Sequence, residues 1–327
     1  MSYLPPYTIT PRITHLVAQI SEAIGGYYAH ENLRLHRVNR IQTILGTLAI
    51  EGNTLSAEQV TAVLEGKPIV APLNEVQEVR NAIQAYELLD ELDPYCMEDL
   101  LRAHATMEAG LIDDAGQFRR SGAGVVSGEQ VIHYAPDAER VPFLMQDLFM
   151  WLQTTEEHPL IASCIFHYEF EFIHPFADGN GRTGRLWQTL ILSRWRPIFK
   201  NLPIENIVYK YQQAYYQAIA VSGGKEGCTP FIEFILGVIA ETLTTQNTTQ
   251  NTTLKTTSRT TPKTTSDSTR KQILNEIGRN PRISRAALAK LVGITPDGVK
   301  YHLQRLTRAG VIRHVGPARS GEWIICK

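Results

Sequence analysis

Residues 1–241 carry apolar side chains that recur every three to four positions. This spacing predicts amphipathic helices. Strand-like alternation is rare there, although residues 125–132 (VVSGEQVI) place two β-branched runs around Ser-Gly and predict a β-hairpin. We therefore predict a mainly α fold, an all-helical domain with one β-hairpin, whose helices span 15–23, 33–50, 74–92, 97–107, 141–154, 159–173, 183–194 and 209–222.

Residues 270–327 predict a separate small α+β module. A helix beginning at Ser284 is followed by a turn and by a second helix over 295–309, with proline near its start, where proline is tolerated. Two β-prone runs, VIRHVG and EWIICK, follow. This order resembles the winged helix-turn-helix modules of transcription regulators.

That resemblance implies a DNA-binding face on the second helix. Lys300, Arg305 and Arg308 on this helix would then face the DNA. Winged helices also serve as protein-binding or dimerisation modules, so DNA, another protein and a second copy of this chain all stay open as partners.

The tract 242–269 differs in composition from both flanking parts. Half of this tract is threonine, and Leu243 and Leu254 are its only large apolar residues. Such a tract buries too little apolar surface to offset its ordering entropy. We predict a linker between the two folded parts.

Charge is divided unevenly along the chain. The total of 32 Lys+Arg and 33 Asp+Glu gives a net charge of −1, which argues against a uniformly nucleic-acid-binding chain. Residues 270–327 alone contain 12 Lys+Arg and 3 Asp+Glu, a net charge of +9, so the rest carries −10. Nucleic-acid binding is therefore expected only in the last part.

Composition also limits the compartment and the metal chemistry. The four cysteines form no C-x-x-C pair, which argues against a zinc ribbon. The N-terminus lacks a basic segment followed by an apolar one, and no apolar run is long enough to span a bilayer. We expect a cytoplasmic protein without a membrane partner.

The segment with the richest chemistry is 174–185, HPFADGNGRTGR. It follows an apolar helix that Pro175 should end, and helical spacing resumes after its glycines. A glycine-rich loop that leads into a helix presents backbone amides and a favourable dipole to an anion. Its G-x-G-x-x-G spacing does not follow a strand, so a dinucleotide-binding Rossmann domain is rejected.

The polar side chains of this segment suit phosphate chemistry. Arg182 and Arg185 lie on one face of the following helix and would donate to phosphate oxygens. Asp178 offers a carboxylate to Mg²⁺, which commonly binds one carboxylate plus substrate phosphates. His174 suits a general base.

These residues resemble the signature of the Fic family, HPFxDGNGRxxR, at every specified position. The resemblance implies a protein adenylyltransferase, an enzyme that moves AMP from ATP to a Ser, Thr or Tyr hydroxyl of a target protein. It assigns the general base to His174, Mg²⁺ to Asp178, and the ATP phosphates to Gly179, Asn180, Gly181, Arg182 and Arg185. The domains would then be an N-terminal helical region 1–95 and a catalytic core 96–241.

The predicted hairpin fits the same resemblance. In the family a β-hairpin flap covers the active site and captures a target segment by strand pairing. Val125, Val126, Val131 and Ile132 would provide that edge. An ordinary surface hairpin is the alternative interpretation.

An upstream segment resembles the family's inhibitory motif, [S/T]-x-x-x-E-[G/N]. Thr47 and Glu51 are four residues apart on one helix face, and Gly52 predicts the end of that helix. The resemblance implies that Glu51 pairs with Arg185 and holds the enzyme inactive. Two rival functions stay open: removal of AMP with Glu51 orienting a water, and a non-catalytic, nucleotide-sensing DNA-binding regulator.

Overall fold

The structure is a computed structural model of the 327-residue chain. Two compact units, Met1–Asn247 and Thr248–Lys327, divide it. The residues it describes are 5–25, 33–122, 124–127, 130–224, 226–258, 264–292, 299–300, 302–303, 306–307, 311–315 and 321–326.

The first unit is built from helices, as the apolar spacing predicts. Its helices α1 to α11 span Pro11–Gly25, Leu33–Ile50, Ala57–Leu64, Leu73–Glu87, Met97–Met107, Val141–Thr154, Pro159–Ile173, Asn180–Trp195, Ile204–Lys210, Gln212–Val221 and Thr229–Ser258, the last of which continues into the second unit.

Helices α7 and α8 pack against each other at the centre of this unit. Nearly every side chain of α7 is buried, and Phe166, Phe170 and Trp187 are fully enclosed. A helix that is buried all round requires neighbours on every side, and the surrounding helices supply them. The loop that joins α7 to α8 is the glycine-rich segment, so the core fixes both of its ends.

Helix α2 approaches α9 very closely at Gly46. A Cβ atom at this position would lie 2.5 Å from the backbone nitrogen of Asn206 and 2.6 Å from the carbonyl carbon of Glu205. The Glu205 carboxylate is buried beside this contact and accepts hydrogen bonds from Tyr86 (2.8 Å) and Thr189 (3.2 Å). The contact therefore fixes the position of α2, the helix that leads to Glu51.

Replacing Gly46 with alanine is expected to destabilise the protein by about 1–3 kcal/mol, because backbone atoms of α9 would have to move to admit a methyl group. The denaturant midpoint of unfolding measures this. Gly237→Ala is the matched control: Gly237 is also helical, and nothing lies within 4 Å of a Cβ there. That control should be neutral or slightly stabilising, and equal effects of the two substitutions would contradict the close packing at Gly46.

Several elements depart from the predicted helices. The structure adds α3, a short helix whose start is fixed by a capping box between Ser56 and Gln59. The helix predicted over 209–222 is instead split at Tyr211, where α9 ends and α10 begins. Neither a short helix buried on one face nor a break at a single residue gives a strong periodic signal.

The tract 242–269, predicted as a linker, is helical over most of the residues described there. Helix α11 runs through to Ser258, and α12 (Thr264–Arg279) begins within the tract. The helix starts in the apolar core, and the hydroxyls of Thr242 and Thr244 donate to the carbonyls of Val238 and Ala240, so threonine continues it. The boundary between the units falls between Asn247 and Thr248, inside α11.

The predicted hairpin is present. Strands β1 (Gly124–Ser127) and β2 (Gln130–Tyr134) pair antiparallel, with an irregularity between Val125 and Val126. Both strands of a two-stranded sheet keep one open edge, so each can still accept a further strand.

The second unit contains the predicted elements in the predicted order, preceded by a helix that was not predicted. Helix α12 is followed by α13 (Arg285–Val292), and strands β3 (Ile312–Val315) and β4 (Glu322–Ile325) form an antiparallel pair. Between α13 and β3, residues 299–300, 302–303 and 306–307 are helical. The buried apolar residues of this unit include Val299, Leu303 and Leu306, whose spacing is that of a helix packed on a core.

Among the described residues, no helix combines the length and the apolar content needed to cross a bilayer.

Candidate active site

The chain makes an unusual turn where α7 ends. His174 caps α7 in the left-handed conformation (φ 49°, ψ 62°) and is the one non-glycine residue with positive φ among those described. Pro175 disfavours helical geometry at the residue before it, which explains the end of α7 but not the unusual sign of φ. Such a conformation costs about 1–3 kcal/mol and persists only where surrounding contacts hold it, often at functional sites.

Asn180 holds the loop from inside. Its Oδ1 accepts a hydrogen bond from the Phe176 backbone N–H, and its Nδ2 donates to the Phe176 carbonyl, both at 2.9 Å. The side chain is buried. Its side-chain amide therefore shapes the loop, which leaves the backbone N–H of Asn180 for the predicted phosphate contact.

His104, on α5, fastens the middle of the loop. Its Nδ1 accepts from the Gly116 N–H (2.8 Å), so Nε2 carries the hydrogen and donates to the Asp178 carbonyl (2.9 Å). Its ring stacks on Phe176 with centroids 3.6 Å apart. Burial lowers the pKa of His104 to about 4, so the ring stays neutral in these contacts.

Arg119 joins the loop to the base of the hairpin. Its Nε donates to the His174 carbonyl (2.7 Å), and its Nη1 and Nη2 donate to the carbonyls of Ser121 and Pro136, which flank β1 and β2. This guanidinium is almost wholly buried and binds backbone oxygens. One side chain thus fixes both the strained end of α7 and the entry and exit of the hairpin.

Neither His104 nor Arg119 was predicted as a site residue. Both lie outside the glycine-rich motif and far from His174 in the sequence. Their targets are backbone carbonyls, which carry no sequence signal. Only the structure shows that they position the loop.

Buried polar atoms without hydrogen-bond partners concentrate around the loop. Within the described part of the chain they include Arg182 Nε, Arg185 Nη1 and His174 Nδ1, together with both carboxylate oxygens of Glu108. Buried donors are normally satisfied, so a cluster of unsatisfied ones indicates a place that a ligand completes. The first backbone amides of α8 also lack intrahelical acceptors, and amides in this position can bind an anion.

Arg185 forms the ion pair expected from the upstream motif. Its Nη2 donates to Glu51 Oε1 (2.7 Å) and to the Thr47 carbonyl (3.0 Å), and its Nε donates to Thr47 Oγ1 (3.1 Å). Burial alone would lower the pKa of Arg185, but the Glu51 carboxylate outweighs burial and raises that pKa above its ordinary value. Both predicted residues therefore bind one guanidinium.

The end of α2 places the Glu51 carboxylate inside the loop. Gly52 adopts φ 93° and ends the helix as predicted. Gln212 and Tyr216 of α10 donate to the Ile50 carbonyl and hold this end. A Cβ atom on Gly181 would lie 2.3 Å from Glu51 Oε1, so the carboxylate rests against the loop backbone.

Asp178 differs from these residues in its exposure. Its side chain is 65% exposed, and its Oδ1 accepts from the Gly179 N–H (2.6 Å) and contacts Arg182 Nη2 (3.4 Å). Among the described residues, no group of three His, Cys, Asp or Glu side chains could hold a metal by itself.

The structure brings together the predicted loop residues, Asp178, and the upstream Thr47, Glu51 and Gly52. The hairpin residues Val125, Val126, Val131 and Ile132 lie on the paired strands, which Arg119 ties to the loop. The side chains of these four residues lie outside the described part of the structure. In the second unit, Lys300 is helical and exposed, whereas Arg305 and Arg308 lie outside the described residues.

Comparison with known proteins gives two family matches. Residues 94–192 match the Fic/DOC family, and residues 266–313 match a winged helix-turn-helix DNA-binding family. Proteins named "Protein adenylyltransferase Fic" from Aedes aegypti and Culex quinquefasciatus are 30% and 31% identical over 227 and 215 residues, or 65% and 62% of this chain. The matched regions span 43% and 41% of those relatives, less than half of their length.

Solved structures extend the similarity to the whole chain. The crystal structure of a Fic family protein from Desulfovibrio desulfuricans G20 is 42% identical and matches 99% of this chain and 98% of its own, with a TM-score of 0.73. Fic-1 from C. elegans is 22% identical over 74% of this chain and 73% of its own, with a TM-score of 0.60, and shows similarity of fold.

Proposed function

The chain belongs to the Fic family, and from that premise we propose that it is a protein adenylyltransferase, which transfers AMP from ATP to a hydroxyl group of a target protein. The complete loop from His174 to Arg185 is the observation that carries this proposal, together with the unsatisfied buried donors around it. A triphosphate would supply the acceptors that these donors lack.

His174 is the proposed general base. It takes the proton from the target hydroxyl as the hydroxyl oxygen attacks the α-phosphorus of ATP. A new P–O bond forms, the bond between the α-phosphorus and its bridging oxygen breaks, and pyrophosphate leaves with that oxygen. Such a displacement needs mainly alignment and charge neutralisation, which a rigid loop provides.

The phosphates would be held by the start of α8. At the positive end of this helix the backbone amides of Gly179, Asn180 and Gly181 would donate to the phosphates, although the Gly179 N–H donates to Asp178 Oδ1 in this structure. Arg182 and Arg185 would neutralise the terminal phosphates, and both are buried, which strengthens their interaction with a phosphate.

Asp178 fits Mg²⁺ as a single-carboxylate site. Its exposed side chain can reach a bound nucleotide, and the absence of a three-ligand cluster among the described residues suits an ion that shares its ligands with phosphates. Mg²⁺ bound there would neutralise negative charge on the phosphates.

The target segment would pair with the hairpin. An extended segment with a Ser, Thr or Tyr hydroxyl could add to an open edge of β1 or β2, main chain to main chain. Arg119 supports this placement, because it ties the hairpin's base to the backbone of His174. The Val125–Ile132 region would therefore hold the hydroxyl near the base.

We further propose that Glu51 keeps the enzyme inactive. Its carboxylate occupies Arg185 and rests against Gly181, where the terminal phosphates would otherwise lie. Its side chain is 34% exposed, so it can leave without unpacking the core.

Isotope position in ATP tests the proposed reaction. With Mg²⁺ and the Glu51→Gly variant, label in the α-phosphate should become protein-bound, whereas label in the γ-phosphate should leave with pyrophosphate. Protein-bound γ-label would instead indicate kinase chemistry and contradict the proposal.

The proposed base also predicts a pH dependence. Burial lowers the pKa of His174 below its ordinary value, and Arg119 acts in the same direction, whereas Glu171 opposes both. The base acts in its neutral form, so the rate should fall with acidification only below about pH 6.5, the ordinary imidazole pKa. The measurement is kcat for AMP transfer by Glu51→Gly against pH, and a half-maximal rate above that pH would contradict it.

The second unit is proposed to bind DNA. Its match to a winged-helix DNA-binding family and the net charge of +9 over 270–327 support this, and Lys300 lies exposed on the helix that would face the DNA. A purely non-catalytic regulator is less well supported, because sensing a nucleotide needs no base such as His174.

A further inference from the structure

The three glycines of the loop each lie against a carboxylate. A Cβ atom on Gly179 would lie 2.2 Å from Glu108 Oε1, one on Gly181 would lie 2.3 Å from Glu51 Oε1, and one on Gly184 would lie 3.1 Å from Glu171 Oε1. Glu51 is the proposed inhibitor. Glu108 directly follows α5, the helix that also carries His104, and none of the roles described above uses it.

Glu108 is the deeply buried counter-charge of Arg182. Its side chain is 0% exposed, and its Oε2 lies 3.1 Å from Arg182 Nη2. Two other carboxylates approach the same guanidinium: Asp178 at 3.4 Å, 65% exposed, and Glu78 at 4.0 Å, 26% exposed. A buried cation needs a counter-charge that stays in place, and Glu108 meets that requirement best.

Glu108 and the inhibitory Glu51 also differ in burial. Glu51 is 34% exposed and comes from a helix end, so a nucleotide can displace it. The Glu108 side chain is fully buried, so it cannot turn out into solvent when a phosphate binds Arg182. Glu108 therefore cannot be expelled in the way proposed for Glu51 without opening the core.

We infer that Glu108 is a positioning residue that holds Arg182 ready for the terminal phosphates of ATP. The inference rests on the proposed function. Glu108 forms an ion pair with Nη2 from the buried side, without a hydrogen bond, and Nε of the same guanidinium has no hydrogen-bond partner within the described part of the chain. One edge of Arg182 is thus fixed while another donor stays available to a phosphate oxygen.

Nucleotide binding separates this role from general support of the fold. Titration calorimetry with ATP and with AMP, in Mg²⁺ at about pH 8, would compare Glu51→Gly with Glu51→Gly/Glu108→Gln. Burial raises the pKa of Glu108 to about 7 although Arg182 opposes this, so the carboxylate is ionised at that pH. Glutamine keeps the shape and can still present an amide oxygen to Arg182, but it removes the charge. ATP binding should weaken about tenfold, while AMP, which lacks the terminal phosphates, should bind as before, and KM for ATP should rise more than kcat falls.

Glu78→Gln in the same background is the matched control, since it removes a more distant and partly exposed carboxylate. It should leave both affinities within about twofold, the effect of a weak exposed pair. Unchanged or tighter ATP binding by the Glu108→Gln variant would overturn the inference. Equal weakening of ATP and AMP with a lower melting temperature would also overturn it, as support of the fold alone. Failure of the Glu51→Gly reference itself to bind ATP would contradict the proposed function and remove the basis of this inference.

Discussion

Replacing His174 with alanine should reduce AMP transfer by about 10²–10⁴-fold, the usual contribution of a general base. The remaining loop groups would still bind and orient ATP, but no group would take the proton from the attacking hydroxyl. The rate is best measured in the Glu51→Gly background, where the parent should be active.

The control for this substitution is nucleotide binding. His174 is assigned no phosphate contact, so the affinity for ATP and the melting temperature should change little. The left-handed backbone at His174 is held through its own carbonyl by Arg119, an interaction that survives loss of the imidazole. A His174→Ala variant that binds ATP normally and transfers AMP within about tenfold of the parent rate would contradict the assignment.

Replacing Glu51 with glycine should raise AMP transfer by about 10–100-fold, as expected when a charge-assisted contact of about 1.5–3 kcal/mol no longer competes with ATP. The substitution frees Arg185 and empties the space beside Gly181. Initial rates at fixed ATP concentration would measure the increase.

Glu51→Gln distinguishes the effect of the charge from the effect of the side-chain volume. Glutamine keeps the bulk beside Gly181 but gives up the ion pair with Arg185, so its rate should lie between the parent and Glu51→Gly. An unchanged rate in Glu51→Gly would show that autoinhibition is wrong. Slower removal of AMP from a modified protein, without faster addition, would favour the rival function in which Glu51 orients a water.

The sequence predicts the parts of this site that are continuous in the chain. The loop 174–185 combines a proline, glycines and charged residues in a fixed order, so both its place between helices and its chemistry follow from local rules. The contact between Glu51 and Arg185 joins two distant parts of the sequence, and only resemblance to a family motif predicts it.

The remaining site residues could not be found that way. His104, Glu108 and Arg119 act on the loop from outside its motif, through backbone carbonyls or a buried charge. Glu108 in particular follows an ordinary amphipathic helix, and nothing local distinguishes it from a surface glutamate. The role inferred for Glu108 depends on the packing of α5 against α8, which is a tertiary contact.

The threonine tract is helical although its composition is that of an unordered segment. Composition predicts that 242–269 stays unordered, because it contains too little apolar surface to fold alone. In the structure the apolar turns of α11 before it are already packed, so the tract only propagates an existing helix. Extending an existing helix costs far less free energy than nucleating a new one, and amino-acid composition alone does not reflect that difference.

The central claim is AMP transfer by His174, restrained by Glu51. Its most direct test is incubation of Glu51→Gly and Glu51→Gly/His174→Ala with Mg²⁺ and ATP labelled in the α-phosphate, followed by measurement of protein-bound label. The proposed mechanism predicts label with the first variant and almost none with the second. Equal labelling by both variants, or none by either, would contradict it.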